Sequence, residues 1–426
     1  MKGGIDNIII CGAGPSGLIL GLLLAKAGIR VQILDAASSV NTNPRASHYG
    51  PPAVYELQRA GVIEEVAAQG FRPDGVSWRR LDGSCITKID TKDVPVEKKI
   101  VCLPLDQLMK ILLRHIEAQP SAEVLWSHKV VGLSDGEERA TVDVETPEGT
   151  KTLEATYVVG CDGATSTIRR QLFGDAFPGR TWDEQIVATN TYYDMSPYNW
   201  QDSNFIVHPE HCYMVAKIQN DGLLRITYLE KAGLSREEYL ERQPEKFKTF
   251  LPGHPDPDKY KIVNFSPYKI HQRCAEKFRV GRFLLAADAA HLCNPFGGLG
   301  LTGGMVDVGN LYDCLYGIHS GQADDSILDK YDEIRRQKYR DFIDPISSDN
   351  LRRLLYISEE EIEKDEFYNL VKRAEVDEEF SKTLQLGIDI IREDFTQYYK
   401  KPTVEAAAKD IPTSLPAPTA VVSGEA

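Results

Sequence analysis

The sequence lacks the paired cysteines of a disulfide framework or a zinc site. Its eight cysteines are scattered over 426 residues without a CxxC pair, so we expect reduced thiols and a cytoplasmic protein. It also lacks an excess of positive charge, since 63 acidic residues against 49 basic ones give a formal net charge of -14. This balance argues against nucleic acid as a partner and against an anionic membrane surface.

Long hydrophobic runs are equally scarce. The one long stretch, residues 8–25, is interrupted by Gly12-Ala-Gly-Pro-Ser-Gly17, which suits a strand, a tight turn and a helix better than a membrane span. We therefore predict no stable membrane anchor. From residue 401 the chain is rich in Pro, Ala, Thr and Ser without hydrophobic periodicity, which predicts a disordered tail over 401–426.

What is present indicates two domains. Residues 5–11, 15–27 and 30–35 predict a strand, a helix and a second strand, the βαβ opening of a doubly wound fold. Residues 185–229 are rich in strand formers and aromatic residues. We predict an α/β protein (α+β overall) with a discontinuous Rossmann-type domain over 1–180 and 278–345, an inserted β-rich substrate domain over 181–277, and C-terminal helices over 346–400.

Hydrophobic periodicity locates the remaining elements. Alternation over 130–159 predicts hairpin strands that return to the first sheet. A 3.6-residue period predicts further helices over 52–69, 105–117, 305–318, 324–343, 358–373 and 376–399.

Gly12-x-Gly14-x-x-Gly17 follows the first strand and opens the first helix, the context that the dinucleotide-binding fingerprint requires. The first glycine makes the turn, the second admits a pyrophosphate and the third lets the helix pack on the strand. Asp35 ends the second strand, where an acid accepts hydrogen bonds from ribose hydroxyls. The motif by itself leaves FAD and NAD as alternatives.

A second match, Gly298-x-Gly300-x-x-Gly303, lies in LLAADAAHLCNPFGGLGLTGG, residues 284–304. It does not directly follow a strand, so we interpret it as a match to the expression that does not mark a second Rossmann unit. A buried strand that ends in Asp288 and continues into a glycine loop can instead bring backbone close to a planar ring.

Cys161-Asp162-Gly163, at the end of another predicted strand, completes the pattern. With these three motifs in this order, residues 5 to about 345 resemble the class A (single-component) flavin monooxygenases, the aromatic-hydroxylase family. The resemblance implies FAD as cofactor, NADPH or NADH as co-substrate, and O2. It also implies a C4a-hydroperoxyflavin that hydroxylates or epoxidises an aromatic or polycyclic small molecule.

The resemblance also implies which residues contact the cofactor. Asp35 matches the acid on the adenosine ribose, and Asp288 the acid that holds the ribityl chain. Ala287 stands where the family usually has glycine, Thr302 where many members have Asn, and Leu105 where Arg or Gln is common. The full implied set is Gly12, Gly14, Ser16, Gly17, Asp35, Arg45, Ala46, Asp162, Gly163, Asp288, Pro295, Gly298, Gly300 and Leu301.

Candidate catalytic residues come from the β-rich segment, the expected wall of the substrate site. His208 could serve as a base for a phenolic hydroxyl, Tyr192 is an aromatic candidate, and Arg225 could face a substrate carboxylate. Taken singly, the tyrosines of this segment are better explained by packing at the sheet surface, and Arg225 could also face solvent. His48 is a candidate pocket residue, whereas His291 is expected to hydrogen-bond the backbone.

Other functions remain open at this point. A flavin-dependent halogenase would need a WxWxIP-type segment, and the four tryptophans form no such pair. An oxidase on the same fold, and a non-catalytic FAD-binding redox sensor, are further alternatives. We expect a monomer or a homodimer.

Overall fold

A computed structural model describes residues 4–40 and 47–400. Arg45, Ala46 and the tail 401–426 lie outside the described residues. The helices are α1 Pro15–Lys26, α2 Pro51–Ala60, α3 Ile63–Gln69, α4 Leu105–Glu117, α5 Thr167–Phe173, α6 Arg236–Phe250, α7 Leu299–His319, α8 Ile327–Lys338, α9 Asp344–Leu354, α10 Glu359–Lys364, α11 Glu366–Ala374 and α12 Glu378–Leu386. The strands are β1 Asn7–Cys11, β2 Arg30–Asp35, β3 His48–Tyr49, β4 Gly75–Arg80, β5 Cys85–Asp90, β6 Val101–Cys102, β7 Ala122–Trp126, β8 Lys129–Asp135, β9 Ala140–Thr146, β10 Gly149–Ala155, β11 Tyr157–Gly160, β12 Gly179–Tyr192, β13 Ser203–Val207, β14 Tyr213–Lys217, β15 Leu223–Glu230, β16 Lys261–Cys274, β17 Arg279–Val280, β18 Phe283–Leu285 and β19 His291–Leu292.

A six-stranded sheet in the order β17-β18-β11-β1-β2-β7 forms the centre of the first layer. Its strands run parallel except for the edge hairpin strand β17. The residues of β1 are fully buried at positions 8–10, as expected for a strand covered on both faces. The predicted α/β fold class is confirmed. Because β18, β11 and β1 are neighbours, the three sequence motifs follow adjacent strand ends.

The second sheet has eight strands in the order β19-β16-β12-β15-β14-β13-β4-β5. It includes residues 75–90, which precede the predicted insertion 181–277, and β19, which follows it. The reason is long-range pairing: β4 adds parallel to β13 with Trp78 opposite Phe205, and these two rings stack with centroids 6.0 Å apart. The domain boundaries stay a prediction, but the sheet itself extends beyond that segment on both sides.

The two faces of the eight-stranded sheet have different neighbours. Leu224, Ile226 and Tyr228 of β15 belong to a core cluster that includes Phe247 and Phe250 of α6. Because side chains alternate along a strand, Arg225 projects from the opposite face. That face continues toward the loop before α7 and the C-terminal helices, where Phe296, Leu351 and Leu354 share a core cluster with Ile186 and Ile270.

Several expected elements differ from the structure, and the helix predicted over 358–373 is two helices, α10 and α11. The helix predicted over 52–69 is two helices, because Gly61 adopts a left-handed conformation with φ 71°. Residues 129–155 form a separate three-stranded sheet, and only β11 returns to the first sheet. The helix predicted from residue 305 begins at Leu299, while the one predicted over 376–399 ends at Leu386.

Candidate active site

The fingerprint loop has the close packing that its glycines predict. Gly12 has φ 108°, and a Cβ there would lie 2.4 Å from the carbonyl oxygen of Cys161. A Cβ on Gly17 would lie 2.0 Å from the carbonyl oxygen of Gly12. Around Gly14, in contrast, a Cβ would meet no protein atom within 4 Å. Protein atoms therefore fill the space next to Gly12 and Gly17, whereas the space next to Gly14, where a pyrophosphate would approach, holds no protein atom within 4 Å.

Asp35 holds this loop from the end of β2. Its Oδ2 accepts a hydrogen bond from the backbone N–H of Ala13 at 2.7 Å, and its Oδ1 accepts one from Ala37 at 2.8 Å. The carboxylate thus contributes to the loop geometry, and its remaining lone pairs are available for ribose hydroxyls.

Asp162, at the end of β11, has one satisfied and one unsatisfied oxygen. Its Oδ2 accepts hydrogen bonds from the backbone N–H groups of Thr167 at 2.6 Å and Ile168 at 3.2 Å. Its buried Oδ1 has no hydrogen-bond partner among the described residues. Burial raises the pKa of this carboxyl group above its ordinary value. An orphaned acceptor beside the fingerprint loop fits a cofactor that brings its own donors.

The third motif presents Asp288 from a short turn. Ala287 and Ala289 on either side of it are buried, whereas Asp288 is exposed. Arg169 of α5 connects this turn to the Asp-Gly motif, because its guanidinium donates to the carbonyl oxygens of Ala289 at 2.9 Å and Ala164 at 2.8 Å. Arg169 therefore links the Asp-Gly motif and the Asp288 turn through hydrogen bonds to both.

The loop from 293 to 298 leads into α7. Asn294 accepts a hydrogen bond from the N–H of Phe296 at 3.0 Å, and Gly298 has φ 65° at the N-cap, where no side chain caps the helix. Pro295, Gly300 and Leu301 are partly exposed along this segment. A Cβ on Gly303 would lie 3.0 Å from Ile343, so this glycine serves helix packing rather than the approach to a ring.

The sheet side of the site is formed by polar side chains on the face of Arg225. Its Nε donates to Oδ1 of Asn190 on the neighbouring strand at 2.7 Å. Tyr268 on β16 is exposed at the sheet surface, and its pKa is raised by loss of hydration near the protein, although the charge of Arg225 acts in the opposite direction. Burial and Arg225 lower the pKa of His48 to about 4, so its imidazole is uncharged at neutral pH.

His48 also connects this face to the cofactor side of the candidate site, by which we mean the fingerprint loop, the Asp-Gly motif and the turn and loop over 287–298. Its Nδ1 lies 3.1 Å from Oγ of Ser47, and its Nε2 lies 3.5 Å from Oγ of Ser203 at the start of β13. Two residues further along, a Cβ on Gly50 would lie 3.6 Å from Oγ1 of Thr302 in the first turn of α7. His48 therefore lies between the eight-stranded sheet and the glycine loop.

Two of the predicted catalytic residues have other surroundings. His208 follows the opposite end of β13 from Ser203, and its Nδ1 accepts hydrogen bonds from the backbone N–H groups of Glu210 at 3.1 Å and His211 at 3.0 Å. Tyr192 donates from its hydroxyl to Asp221 at 2.8 Å. These contacts favour structural roles, and a catalytic role for either residue stays a prediction.

The structure adds three residues that the sequence motifs did not single out. Asn190 and Tyr268 share the sheet face of Arg225, and strand alternation with the correct pairing would have indicated them. Asp307 is fully buried in α7, and an acid flanked by the apolar residues Val306 and Val308 is the available signal. Among residues 4–40 and 47–400 we find no cluster of potential metal ligands and no helix suited to crossing a bilayer.

Comparison with known proteins agrees with this architecture. The family described as FAD binding domain matches residues 6–345. Para-nitrophenol 4-monooxygenase of Pseudomonas sp. (strain WBC-3) is 36% identical over 81% of this chain and 86% of its own length. 6-Hydroxy-3-succinoylpyridine 3-monooxygenase HspB of Pseudomonas putida is 36% identical over 82% of this chain and 89% of its own length.

A solved structure shows the same overall arrangement. The p-nitrophenol 4-monooxygenase PnpA from Pseudomonas putida DLL-E4 superposes with a TM-score of 0.86 at 33% identity, covering 91% of this chain and 98% of PnpA. The chain therefore belongs to the FAD-binding family of aromatic-ring monooxygenases. It is an FAD-dependent monooxygenase with NAD(P)H as co-substrate, and the halogenase, oxidase and non-catalytic alternatives are not favoured.

Proposed function

We propose that this enzyme hydroxylates the ring of a small phenol that also carries a polar or anionic substituent. The observation that carries the proposal is the pairing of Arg225 with Asn190 on the sheet face that also approaches His48. The relatives support the substrate class, because their names denote hydroxylated aromatic rings with a nitro or a succinoyl group.

The proposed cofactor contacts are the residues at the ends of β1, β2, β11 and β18 and in the glycine loop. Bound FAD supplies hydride acceptance from NAD(P)H and activation of O2, with one oxygen atom entering the ring and the other leaving as water. Within the described residues the set is Gly12, Gly14, Ser16, Gly17, Asp35, Asp162, Gly163, Asp288, Pro295, Gly298, Gly300 and Leu301.

The protein side chains activate and orient the phenol. A cation beside a hydroxyl favours its ionised form, so Arg225 would make the ring more electron-rich toward an electrophilic oxygen. His48, an uncharged imidazole at the same end of the sheet, is our candidate hydrogen-bond acceptor for the phenol hydroxyl. We retain His208 and Tyr192 as weaker candidates, since their polar atoms already bond to other groups of the protein.

A substrate panel with two variants of Arg225 tests this function. We expect nitrophenols and hydroxybenzoates, but not their deoxy analogues, to stimulate NAD(P)H oxidation with product rather than peroxide. Arg225→Met should raise KM for phenols by about 30-fold, the effect of losing a charge-assisted hydrogen bond. Arg225→Lys should retain part of the binding, and FAD affinity should not change in either variant. Stoichiometric peroxide with every phenol, or an unchanged KM, would contradict the proposal.

The cellular compartment and the oligomeric state of the enzyme are also proposals. All eight cysteines are unpaired, which supports a reducing compartment such as the cytoplasm. We propose a monomer or a homodimer, which light scattering of the purified protein would decide.

A further inference from the structure

The turn that presents Asp288 contains a strained residue. Ala287 has φ 57°, a left-handed conformation that is unfavourable for any residue with a Cβ. Its methyl group has room because position 304 of α7 is glycine, where a Cβ would lie 2.7 Å from the Cβ of Ala287. The neighbouring helix accommodates the strained residue but does not by itself explain why the strained conformation persists.

Asp307, in the third turn of α7, holds this residue in place. Its Oδ2 accepts a hydrogen bond from the backbone N–H of Ala287 at 3.0 Å and another from Nε2 of His291 at 2.7 Å. Its Oδ1 accepts from Nε of Arg335 at 2.7 Å. The three side chains are at most 2% exposed.

Asp307 keeps its negative charge although it is buried. Burial opposes ionisation, but His291 and Arg335 together hold the pKa of the carboxyl group well below its ordinary value. Arg335 is itself anchored, because it donates to the carbonyl oxygen of Ile391 and to Asn310. A charged acceptor makes a stronger hydrogen bond to a backbone N–H than a neutral one does.

We propose that Asp307 is a positioning residue for the cofactor, because its bond to Ala287 maintains the left-handed turn that directs Asp288 toward the ribityl chain of FAD. The inference rests on the proposed role of Asp288. Without the carboxylate, Ala287 would relax to a negative φ and turn Asp288 away. Cofactor binding would then have to restore the strained conformation. A glycine at position 287 would not face this penalty.

The first test removes the carboxylate of Asp307 and then, in a second variant, also removes the strain at Ala287. Asp307→Ala is made together with Arg335→Met, so that no unpaired charge remains in the core. The pair is then combined with Ala287→Gly. Arg335→Met alone is the control, since it disturbs the same core but keeps the bond from Ala287 to Asp307. FAD affinity of the apoprotein is measured by quenching of flavin fluorescence, and its melting temperature by circular dichroism.

We expect the Asp307→Ala, Arg335→Met variant to bind FAD about tenfold more weakly, the factor that corresponds to a left-handed penalty of about 1.4 kcal/mol. Adding Ala287→Gly should restore the affinity to within about twofold, while the melting temperature stays lowered. A purely structural role would lower both quantities together, and Ala287→Gly would restore neither. An equal loss of affinity with and without Ala287→Gly would overturn the proposal.

A second pair of variants, Gly304→Ala without and with Ala287→Gly, provides the test if the Asp307 and Arg335 variants do not fold. Gly304→Ala favours the helix but pushes a methyl group against Ala287, so it should weaken FAD binding, and Ala287→Gly should restore it. Failure of that rescue would also overturn the proposal. These measurements use FAD binding alone. A protein that binds FAD with the expected pattern but oxidises no phenol would refute the proposed function and leave this inference intact.

Discussion

The cofactor side and the sheet side of the site are built from different kinds of hydrogen bond. On the cofactor side, Asp35, Asp162 and Asp307 accept from backbone N–H groups. On the sheet side, Arg225 pairs with the side chain of Asn190, and His48 lies beside the hydroxyl of Ser203. Backbone contacts depend on where strands end and helices begin. Contacts between side chains depend on the register of strands that are distant in sequence.

On the cofactor side, we expect the greatest loss of stability from replacing one glycine of the fingerprint loop. Gly12→Ala should lower the free energy of unfolding by about 3 kcal/mol or more, because the residue has φ 108° and its Cβ would clash with Cys161. Urea unfolding of the apoprotein measures this loss.

Gly14→Ala is the matched control, since its Cβ meets no protein atom within 4 Å. It should leave apoprotein stability within about 0.5 kcal/mol and weaken FAD binding about tenfold or more, if a pyrophosphate occupies this space. Equal stability losses in the two variants would contradict the distinction between the closed and the open glycine.

Titration of His48 sharpens the description of the sheet side. Its pKa is lowered from 6.5 to about 4 in the folded protein, so the unfolded chain binds the proton more readily. Stability that is present above pH 6.5 is therefore lost as the pH falls toward 4. In His48→Gln this loss should be smaller by about 1–3 kcal/mol, as measured by urea unfolding at pH 7 and pH 4.5. Identical losses in both proteins would contradict the assignment.

Glu56 of α2, which packs against Gly309 of α7, shows the opposite pH dependence. Burial raises its pKa from 4.5 to about 7, although Arg59 counteracts this. Its contribution is present at low pH and is lost as the pH rises from 4.5 through 7. Glu56→Gln should therefore lose less stability than the wild type between pH 5 and pH 8, by about 1–2 kcal/mol. Thermal unfolding across this range checks it, and an unchanged pH dependence would count against it.

The smallest effect concerns the exposed ion pair between Arg80 of β4 and Glu359 of α10. Exposed pairs contribute between about 0 and 1 kcal/mol, so Glu359→Gln should change the free energy of unfolding by less than about 0.5 kcal/mol. A larger loss in urea unfolding would mean that α10 depends on this contact for its attachment to the sheet.

The parts of the protein whose structure depends on neighbouring residues could be predicted from the sequence. Strand β2, helix α4 and the start of α1 lie where hydrophobic periodicity predicts them, and the three motifs identified the family, because a tight turn at a strand end depends on neighbouring residues. Only the tertiary structure placed Asn190 beside Arg225, His48 between the two layers, and Asp307 under Ala287. Arg225 and Asn190 are 35 residues apart in the chain, His48 and Ser203 are 155 apart, and Asp307 and Ala287 are 20 apart. Strand register and helix packing, which local pattern does not specify, decide which side chains meet.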